Sequence, residues 1–239
     1  MIIAIDGPSG AGKSTVAKAV AKTLGFSCLD TGAMFRSLAW YAHEYQFDID
    51  NPQLIGDLAS SKEIAFGIMP GDPSPKKVYI DGIEVTNKIR SGTIDAIASK
   101  ISAYPQVREA LLLQQQRIGA SGNYVVEGRD IGTVVFPEAE LKIYLTATAE
   151  ERAHRRVRQN VDRGLGSICY EEVLQAIKQR DHADASRDVA PLKPAADALQ
   201  IDSTHDYIED IIARICTEAA KRKLVESASL CDEAFCKQD

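Results

Sequence analysis

Long apolar stretches, metal-binding patterns and an excess of positive charge are all missing from this sequence of 239 residues. No uninterrupted apolar run approaches the roughly 20 residues that a membrane-spanning helix needs. The chain opens on a short apolar segment with no basic stretch before it, so we predict no signal peptide. The net charge of −6 disfavours binding to nucleic acid, which prefers basic surfaces, although one local surface can differ from the average.

Cysteine is sparse and scattered. The five cysteines are Cys28, Cys169, Cys216, Cys231 and Cys236. None belongs to a CxxC pair or to a cluster with metal-ligand spacing. In a chain of this size such cysteines are typical of reduced thiols, so we expect a cytoplasmic protein.

The rest of the composition is that of an ordinary globular protein, with 45% apolar and 26% charged residues. Apolar segments typical of strands alternate with segments typical of helices. This alternation predicts an α/β fold, with a parallel sheet covered by helices on both faces. The predicted strands are residues 1–6, 26–29, 123–127, 141–146 and 198–201. The predicted helices are residues 14–24, 31–45, 92–103, 105–118, 149–163, 170–181 and 207–223.

Residues 48–92 interrupt this alternation. Turn-forming residues cluster at positions 67–77, and residues 78–85 have a strand–turn–strand pattern around Asp81 and Gly82. We therefore predict a small antiparallel insertion at 48–92 within a core made of residues 1–47 and 93–223. The tail at residues 224–239 is polar and is expected to be disordered.

Residues 7–14 match the phosphate-binding pattern GxxxxGK[ST] and lie between a predicted strand and a predicted helix. The glycines let successive backbone N–H groups point at an anion, and the helix N-terminus adds partial positive charge. Lys13 would contact the β- and γ-phosphates of ATP, and the Ser14 hydroxyl could ligate Mg²⁺. The predicted ATP-binding residues are Gly7, Pro8, Ser9, Gly10, Ala11, Gly12, Lys13, Ser14 and Thr15.

Motifs of other nucleotide-binding classes are incomplete. A GTPase carries Asn-Lys-x-Asp for base recognition, whereas residues 87–90 have arginine at the last position. A motor or large ATPase carries an acidic residue at a strand end, whereas the predicted strand at 141–146 ends in leucine and threonine. These absences favour a small kinase whose acceptor binds in the same crevice, at the carboxyl ends of the strands.

Arginine is placed where a phosphoryl-transfer site needs it. The transfer requires neutralisation of charge on the moving group, and the arginine fork matches phosphate oxygens. Arg36 and Arg129 each follow a predicted strand. The arginines that share one face of the charged helix at 149–163 are Arg152, Arg155, Arg156 and Arg163. This helix is either a solvated surface or, with residues up to 188, a lid that excludes water; under the lid hypothesis Arg152 and Arg156 are catalytic.

Taken together, the motifs resemble those of the bacterial cytidylate kinases. The matching segments are residues 5–15, 29–36, 104–112, 127–145, 150–156 and 190–199. The resemblance covers roughly residues 1–223, and the segment 128–137 and the length of the insertion are its most specific parts. It implies a three-layer P-loop NTPase fold with five parallel strands, an acceptor-binding insertion and a helical lid. It also implies transfer of phosphate from Mg-ATP to CMP or dCMP, by what we expect to be a monomer.

The resemblance assigns roles to residues outside the phosphate loop. Arg36, Arg129 and Arg187 are expected to clamp the acceptor phosphate. Ser99, Arg108 and Asp130 are expected to read the cytosine, and Arg180 and Asp184 to contact the ribose. Thr31 keeps the hydroxyl of the serine that the family often has there, and is counted with the substrate residues. Phe35 lacks the hydroxyl of the family's usual tyrosine. The predicted catalytic set is Lys13, Arg129, Arg152, Arg156 and Arg187.

The chemistry of cytosine agrees with a carboxylate reader. Cytosine presents an N4 amino donor beside the N3 and O2 acceptors, so Asp130 could accept from N4 while Arg108 and Ser99 donate. Uracil presents the opposite pattern, and buried polar groups left unpaired would reject it. Asp130 could instead be a structural carboxylate paired with Arg129 or Arg108. The competing functions are a kinase for UMP or shikimate, an ATP-binding module without turnover, and an accessory protein for nucleic acid.

Overall fold

The computed structural model describes residues 1–69, 72–164 and 167–235. Within these ranges the strands are β1 (Ile2–Asp6), β2 (Ser27–Asp30), β3 (Ile64–Met69), β4 (Asp72–Ile80), β5 (Ile83–Glu84), β6 (Tyr124–Gly128), β7 (Leu141–Thr146) and β8 (Leu199–Asp202). The helices are α1 (Lys13–Leu24), α2 (Thr31–Glu44), α3 (Pro52–Ser61), α4 (Gly92–Ile101), α5 (Pro105–Gly119), α6 (Ala149–Arg163), α7 (Tyr170–Ser186) and α8 (Ile208–Phe235), with a π-helix at Ile131–Val135.

The central sheet has five strands in the order β2-β6-β1-β7-β8. Every neighbouring pair is parallel, as predicted. Side chains alternate between the two faces of β1: Ile3 and Ile5 pack with α1 and α8, whereas Ala4 packs with helices α2 to α5. The fold is therefore the predicted three-layer α/β architecture, with its core divided between the two faces of one sheet.

The insertion forms an antiparallel sheet in the order β3-β4-β5, again as predicted. Its strands pack into the same core cluster as α2 and α5 through Ile64, Val78 and Ile80. The cluster of turn-forming residues at 67–77 lies mostly within β3 and β4, because cross-strand pairing outweighs the local preferences of glycine and proline. Positions 70 and 71 of that cluster lie outside the described residues.

Three helical features differ from the sequence prediction. Helix α3 was not predicted, although Asn51 caps it by accepting from the backbone N–H of Leu54 and proline occupies its first turn. The π-helix was not predicted either. Helix α8 continues to Phe235, where disorder was expected from residue 224, because residues 224–235 contain neither glycine nor proline to end it. Residues 236–239 lie outside the described residues.

The structure also tests two expectations, that no helix spans a membrane and that the cysteines are free thiols. No helix in the described part of the chain is both long and apolar enough to cross a membrane. Cys28, Cys169 and Cys216 are free thiols, as expected, and Cys28 is buried.

Gly7 is the first residue of the phosphate loop and follows β1 directly. A Cβ at this position would lie 1.9 Å from the backbone oxygen of Leu145, and φ is +150°. Leu145 belongs to β7, which pairs with β1, so this oxygen cannot retreat without disturbing the sheet. No side chain is compatible with this contact.

We predict that Gly7→Ala lowers the free energy of unfolding by about 3 kcal/mol or more. The matched control is Gly25→Ala, because Gly25 also has a positive φ, of 68°, but a Cβ added there would have no neighbouring atom within 4 Å. Its expected cost is about 1 kcal/mol, from backbone strain alone. Urea unfolding of both variants measures the difference, and equal losses would contradict the steric explanation.

Candidate active site

A cavity of about 1210 Å³ opens beside the carboxyl ends of β2 and β6 and the loop that follows β1. This is where parallel α/β sheets place their ligands. Pockets for one small molecule usually measure roughly 300–1,000 Å³, so the space is large enough for two ligands. The phosphate loop forms one wall, and arginines from α2, α5, α6, α7 and the turn after β6 form much of the rest.

The phosphate loop has the geometry of an anion cradle. Gly10 and Gly12 have φ values of 82° and 94°, and Gly12 is the N-cap of α1. The Lys13 ammonium is buried and donates to the backbone oxygen of Pro8 at 2.8 Å. The predicted loop residues that line the cavity are Ser9, Gly10, Gly12, Lys13, Ser14 and Thr15. Gly7, Pro8 and Ala11 are buried and are not among the lining residues, so they support the cradle from behind.

Glu127 is a functional candidate that the sequence prediction missed. It lies near the end of β6, is buried beside the phosphate loop, and one of its carboxylate oxygens, Oε1, has no hydrogen-bond partner. Burial, followed by the charge of Asp30, raises the pKa of Glu127, while Lys13 and Ser14 oppose this rise. The sequence prediction looked for an acidic residue at the end of β7, one of the two neighbours of β1 in the sheet. The acidic residue is instead at the end of β6, the other neighbour of β1. Strand order cannot be read from the sequence, although the acidic end of the predicted strand 123–127 was visible.

The donor set beside the loop fits a hard divalent cation. Among the described residues, no group of three or more His, Cys, Asp or Glu side chains could hold a metal ion. Mg²⁺ needs fewer protein ligands, because phosphate oxygens and waters complete its shell. The Ser14 hydroxyl, which faces the cavity, and the unpartnered Oε1 of Glu127 provide oxygens of the type that it prefers.

Three of the predicted acceptor-clamp arginines line the same cavity as the phosphate loop. Arg36 donates to Asp30 at 2.8 Å, and Asp30 caps α2 by accepting from the backbone N–H of Ala33. Asp184 serves the other two, because it accepts from Arg129 at 2.9 Å and lies 3.5 Å from the Arg187 guanidinium. These carboxylates hold the guanidinium groups at the cavity wall.

Positive charge in this wall exceeds what the neighbouring carboxylates neutralise. Burial, then the charge of Arg129, lowers the pKa of Arg180 to about 10. Burial, then the charge of Arg108, lowers the pKa of Arg187 to about 10 as well. The Nε of Arg180 and one terminal nitrogen, Nη2, of Arg187 are buried without a hydrogen-bond partner. A ligand that brings anionic oxygens would stabilise this cluster.

Arg108 and Asp130 are paired on the acceptor side of the cavity. The Arg108 guanidinium donates to Asp130 at 2.8 Å and to the backbone oxygen of Ser102 at 2.6 Å, and it lies 5.5 Å from the Phe35 ring centre. Both open alternatives for Asp130 are thus compatible with the structure, since the pair is buried and also lines the cavity.

Two substrate predictions need qualification. Ser99 is not among the residues that line the cavity; Ala98 and Ser102 of the same segment are, because each step along a helix turns the side chain by about 100°. Thr31 does line it, but its hydroxyl donates to the backbone oxygen of Glu127 at 2.7 Å. Thr31 therefore joins α2 to β6 beside the cavity.

The arginines of α6 differ in role. Arg152, predicted to be catalytic, does not line the cavity. Its guanidinium forms two hydrogen bonds to Asp181 of α7, at 3.0 and 2.6 Å, and a third to the backbone oxygen of Ser9 at 3.2 Å. Arg152 therefore connects α6 and α7 to the phosphate loop. The sequence shows which arginines share a face of the helix. It does not show which of them are hydrogen-bonded to other parts of the protein.

Two further arginines of α6 do line the cavity. Arg156, also predicted to be catalytic, donates to Asp95 of α4 at 3.0 Å, so it connects α6 to α4 across the cavity. Arg155, which was not among the predicted site residues, donates to Ser203 at 3.0 Å beside the phosphate loop.

The phosphate loop lies between a strand and a helix and faces a cavity lined by arginines. This arrangement defines the class of protein as a P-loop phosphotransferase. The cytidylate kinase family profile matches residues 3–221. A cytidylate kinase of Pseudomonas fluorescens is 45% identical over 223 residues, 93% of this chain and 96% of that protein. One from Limosilactobacillus fermentum is 46% identical over 219 residues, 92% and 95% of the two chains. A gluconokinase structure from Sinorhizobium meliloti covers 95% of both chains with 14% identity and a TM-score of 0.45. On the sequence matches, the chain belongs to the cytidylate kinase family.

We predict that nucleotide binding is accompanied by proton uptake at pH 8. Burial, then the charge of Arg129, lowers the pKa of Lys13 to about 7, so the free protein carries a mostly neutral Lys13 at this pH. Phosphate charge raises that pKa again, and up to about one proton is taken up per nucleotide. Calorimetric titration with ATP and EDTA, in two buffers of different ionisation enthalpy, measures the exchange.

Glu127 could contribute in the same direction, because its pKa is also raised. The Glu127→Gln variant separates the two groups, since uptake that persists in it comes from Lys13. Proton release, or no exchange at all, would show that Lys13 is already charged in the free protein.

Proposed function

We propose that this protein transfers the γ-phosphoryl group of ATP to CMP or dCMP, giving ADP and the corresponding nucleoside diphosphate. One observation supports this above all others. A single cavity is lined by most of the phosphate loop and by Arg36, Arg129 and Arg187, and burial beside Arg108 lowers the pKa of Arg187 to about 10. Such a cavity suits two anionic ligands that would repel each other in water.

On the donor side, the backbone N–H groups of residues 9–15 would hold the β- and γ-phosphates. Lys13 would follow the charge of the γ-phosphate as it moves. Mg²⁺, held by Ser14 and approached by Glu127, would neutralise charge between the β- and γ-phosphates. The free Oε1 of Glu127 supports this role, because it can accept from a water in the metal's shell.

On the acceptor side, the planar forks of Arg36, Arg129 and Arg187 would bind the oxygens of the monophosphate. Asp30 and Asp184 keep these forks in place before the substrate arrives. Preorganised charge of this kind stabilises the transition state without reorganisation during the reaction. Arg180 would add positive charge near the ribose and phosphate of the acceptor. Asp184 would contact the ribose beside it.

The base would lie beside Arg108 and Asp130, near the Phe35 ring. Asp130 accepts from Arg108 through one oxygen, which leaves its other oxygen for the N4 amino group of cytosine. Arg108 would donate to the cytosine acceptors. Arg155 and Arg156, on the lid, would complete the cage over the transferred group and help to exclude water.

In the reaction, an oxygen of the acceptor phosphate attacks the γ-phosphorus while the bond to the β-γ bridging oxygen breaks. Phosphoryl transfer leaves little covalent work for the protein, which supplies alignment and charge. The two phosphates can align because both binding walls are attached to neighbouring strands of one sheet.

We predict that the purified protein releases ADP from Mg-ATP in a CMP-dependent manner, and that Lys13→Ala lowers kcat by roughly 10³-fold. The matched control is Lys221→Ala, which removes an exposed lysine on α8 and should retain wild-type turnover. A coupled ADP assay with CMP, dCMP, UMP, AMP and shikimate measures both points. Turnover only with shikimate, or none with any acceptor, would reject the proposed function.

Asp130→Asn should reduce the preference for CMP over UMP by about 10-fold or more, because an amide can donate to the uracil O4 where the carboxylate cannot. Asp197→Asn, which alters an exposed carboxylate paired with Lys142, is the control. The ratio of kcat/KM for the two acceptors is the measurement. Equal losses on both acceptors would assign Asp130 a purely structural role.

A further inference from the structure

Asp6 is a buried carboxylate at the end of β1, immediately before the phosphate loop. Its two oxygens accept from two successive backbone N–H groups, those of Ile131 at 2.8 Å and Gly132 at 2.7 Å. The residue is 3% exposed. The sequence prediction assigned it only to the end of a strand.

The segment that Asp6 binds presents the acceptor-side residues. Arg129 and Asp130 come directly before Ile131, at the start of the π-helix. The backbone oxygen of Asp130 accepts from Val134 and Val135, which continues the same hydrogen-bonded turn. Fixing the N–H groups of residues 131 and 132 therefore fixes the direction in which Arg129 and Asp130 leave β6.

The donor side is tied to Asp6 through the backbone. Asp6 pairs with Gly128 in β6 and with Tyr144 in β7. Gly7 follows it and lies against the backbone of Leu145. One residue thus joins the first residue of the phosphate loop to the turn that carries Arg129 and Asp130.

The chemistry of this contact requires a carboxylate. Two parallel N–H donors need two acceptor oxygens, which an ionised Asp provides and an Asn does not, because one of its two terminal groups is a donor. Burial raises the pKa of Asp6 to about 6, while the two backbone hydrogen bonds oppose the rise.

We propose that Asp6 is a positioning residue that sets Arg129, which would bind the acceptor phosphate, and Asp130, which would bind the base, relative to the phosphate loop. Asp6 is not among the residues that line the cavity, so we expect it to touch neither substrate. Its effect is on the distance and angle between two sites that must meet for in-line transfer. The inference rests on the proposed function, since it presumes that the two walls of the cavity bind donor and acceptor.

The test is the steady-state kinetics of Asp6→Asn, which keeps the shape of the side chain. We expect the KM for CMP to rise by about 10-fold or more and kcat to fall by roughly 10- to 100-fold, whereas the KM for ATP stays within about twofold. A structural role alone would not separate the two substrates. If this variant does not fold, Asp6→Ser, whose hydroxyl still accepts one N–H, is measured instead.

Glu140→Gln is the matched control. Its carboxylate accepts from the backbone N–H of Ile2 at 2.7 Å, at the opposite end of β1 from the phosphate loop. It should change stability without changing either KM. The wild-type protein in the same assay tests the proposed function separately, because absence of CMP-dependent turnover there would reject the function itself.

Two results would overturn the role of Asp6 while the wild-type enzyme is active. One is unchanged kinetic constants in Asp6→Asn together with a lower unfolding midpoint. The other is an equal rise in the KM for ATP and for CMP, which would indicate general disturbance of the fold.

Discussion

Repulsion among cations gathered in one crevice is the constraint on which the rest of the structure depends. Lys13, Arg180 and Arg187 all have pKa values below their ordinary range because they are buried near other positive groups. Asp30, Glu127 and Asp184 offset part of this charge but do not balance it. Two phosphate-bearing ligands would supply the missing negative charge, so the arrangement that weakens the empty protein is also the one that stabilises the transition state.

A rigid sheet holds these cations together. Strand β6 lies between β2 and β1, and its end carries Glu127 and leads into Arg129 and Asp130. Arg129 and Asp130 therefore follow the strand next to β1, which leads into the phosphate loop, and neighbouring strands of a sheet lie about 4.8 Å apart. Hydrogen bonds also connect the ends of these strands. Asp6 at the end of β1 accepts from the turn after β6, and Thr31, directly after β2, donates to Glu127 of β6.

Local patterns predicted the fold, because glycine spacing, apolar alternation and helix signals are contained in short segments. They also indicated the phosphate loop, Arg36 and Arg129, and the resemblance added Arg108, Asp130 and Arg187; these arginines and Asp130 line one cavity with residues of the loop. Glu127 was missed because its importance depends on strand order. Ser99 and Arg152 do not line the cavity, which the sequence could not show because the rotation of a helix and the partners of its arginines are tertiary properties.

Two arginines one turn apart on helix α6 differ in their partners and in their exposure to solvent. Arg152 and Arg156 are four residues apart and lie on the same side of the helix. Arg152 is buried in a two-pronged pair with Asp181, whereas the Arg156 and Asp95 side chains are 35% and 25% exposed. An ion pair that is this open to solvent contributes about 1 kcal/mol or less. The contact of α6 with α4 through Arg156 is therefore the weaker attachment of this helix, and the contact of Arg152 with α7 and the phosphate loop is the stronger one.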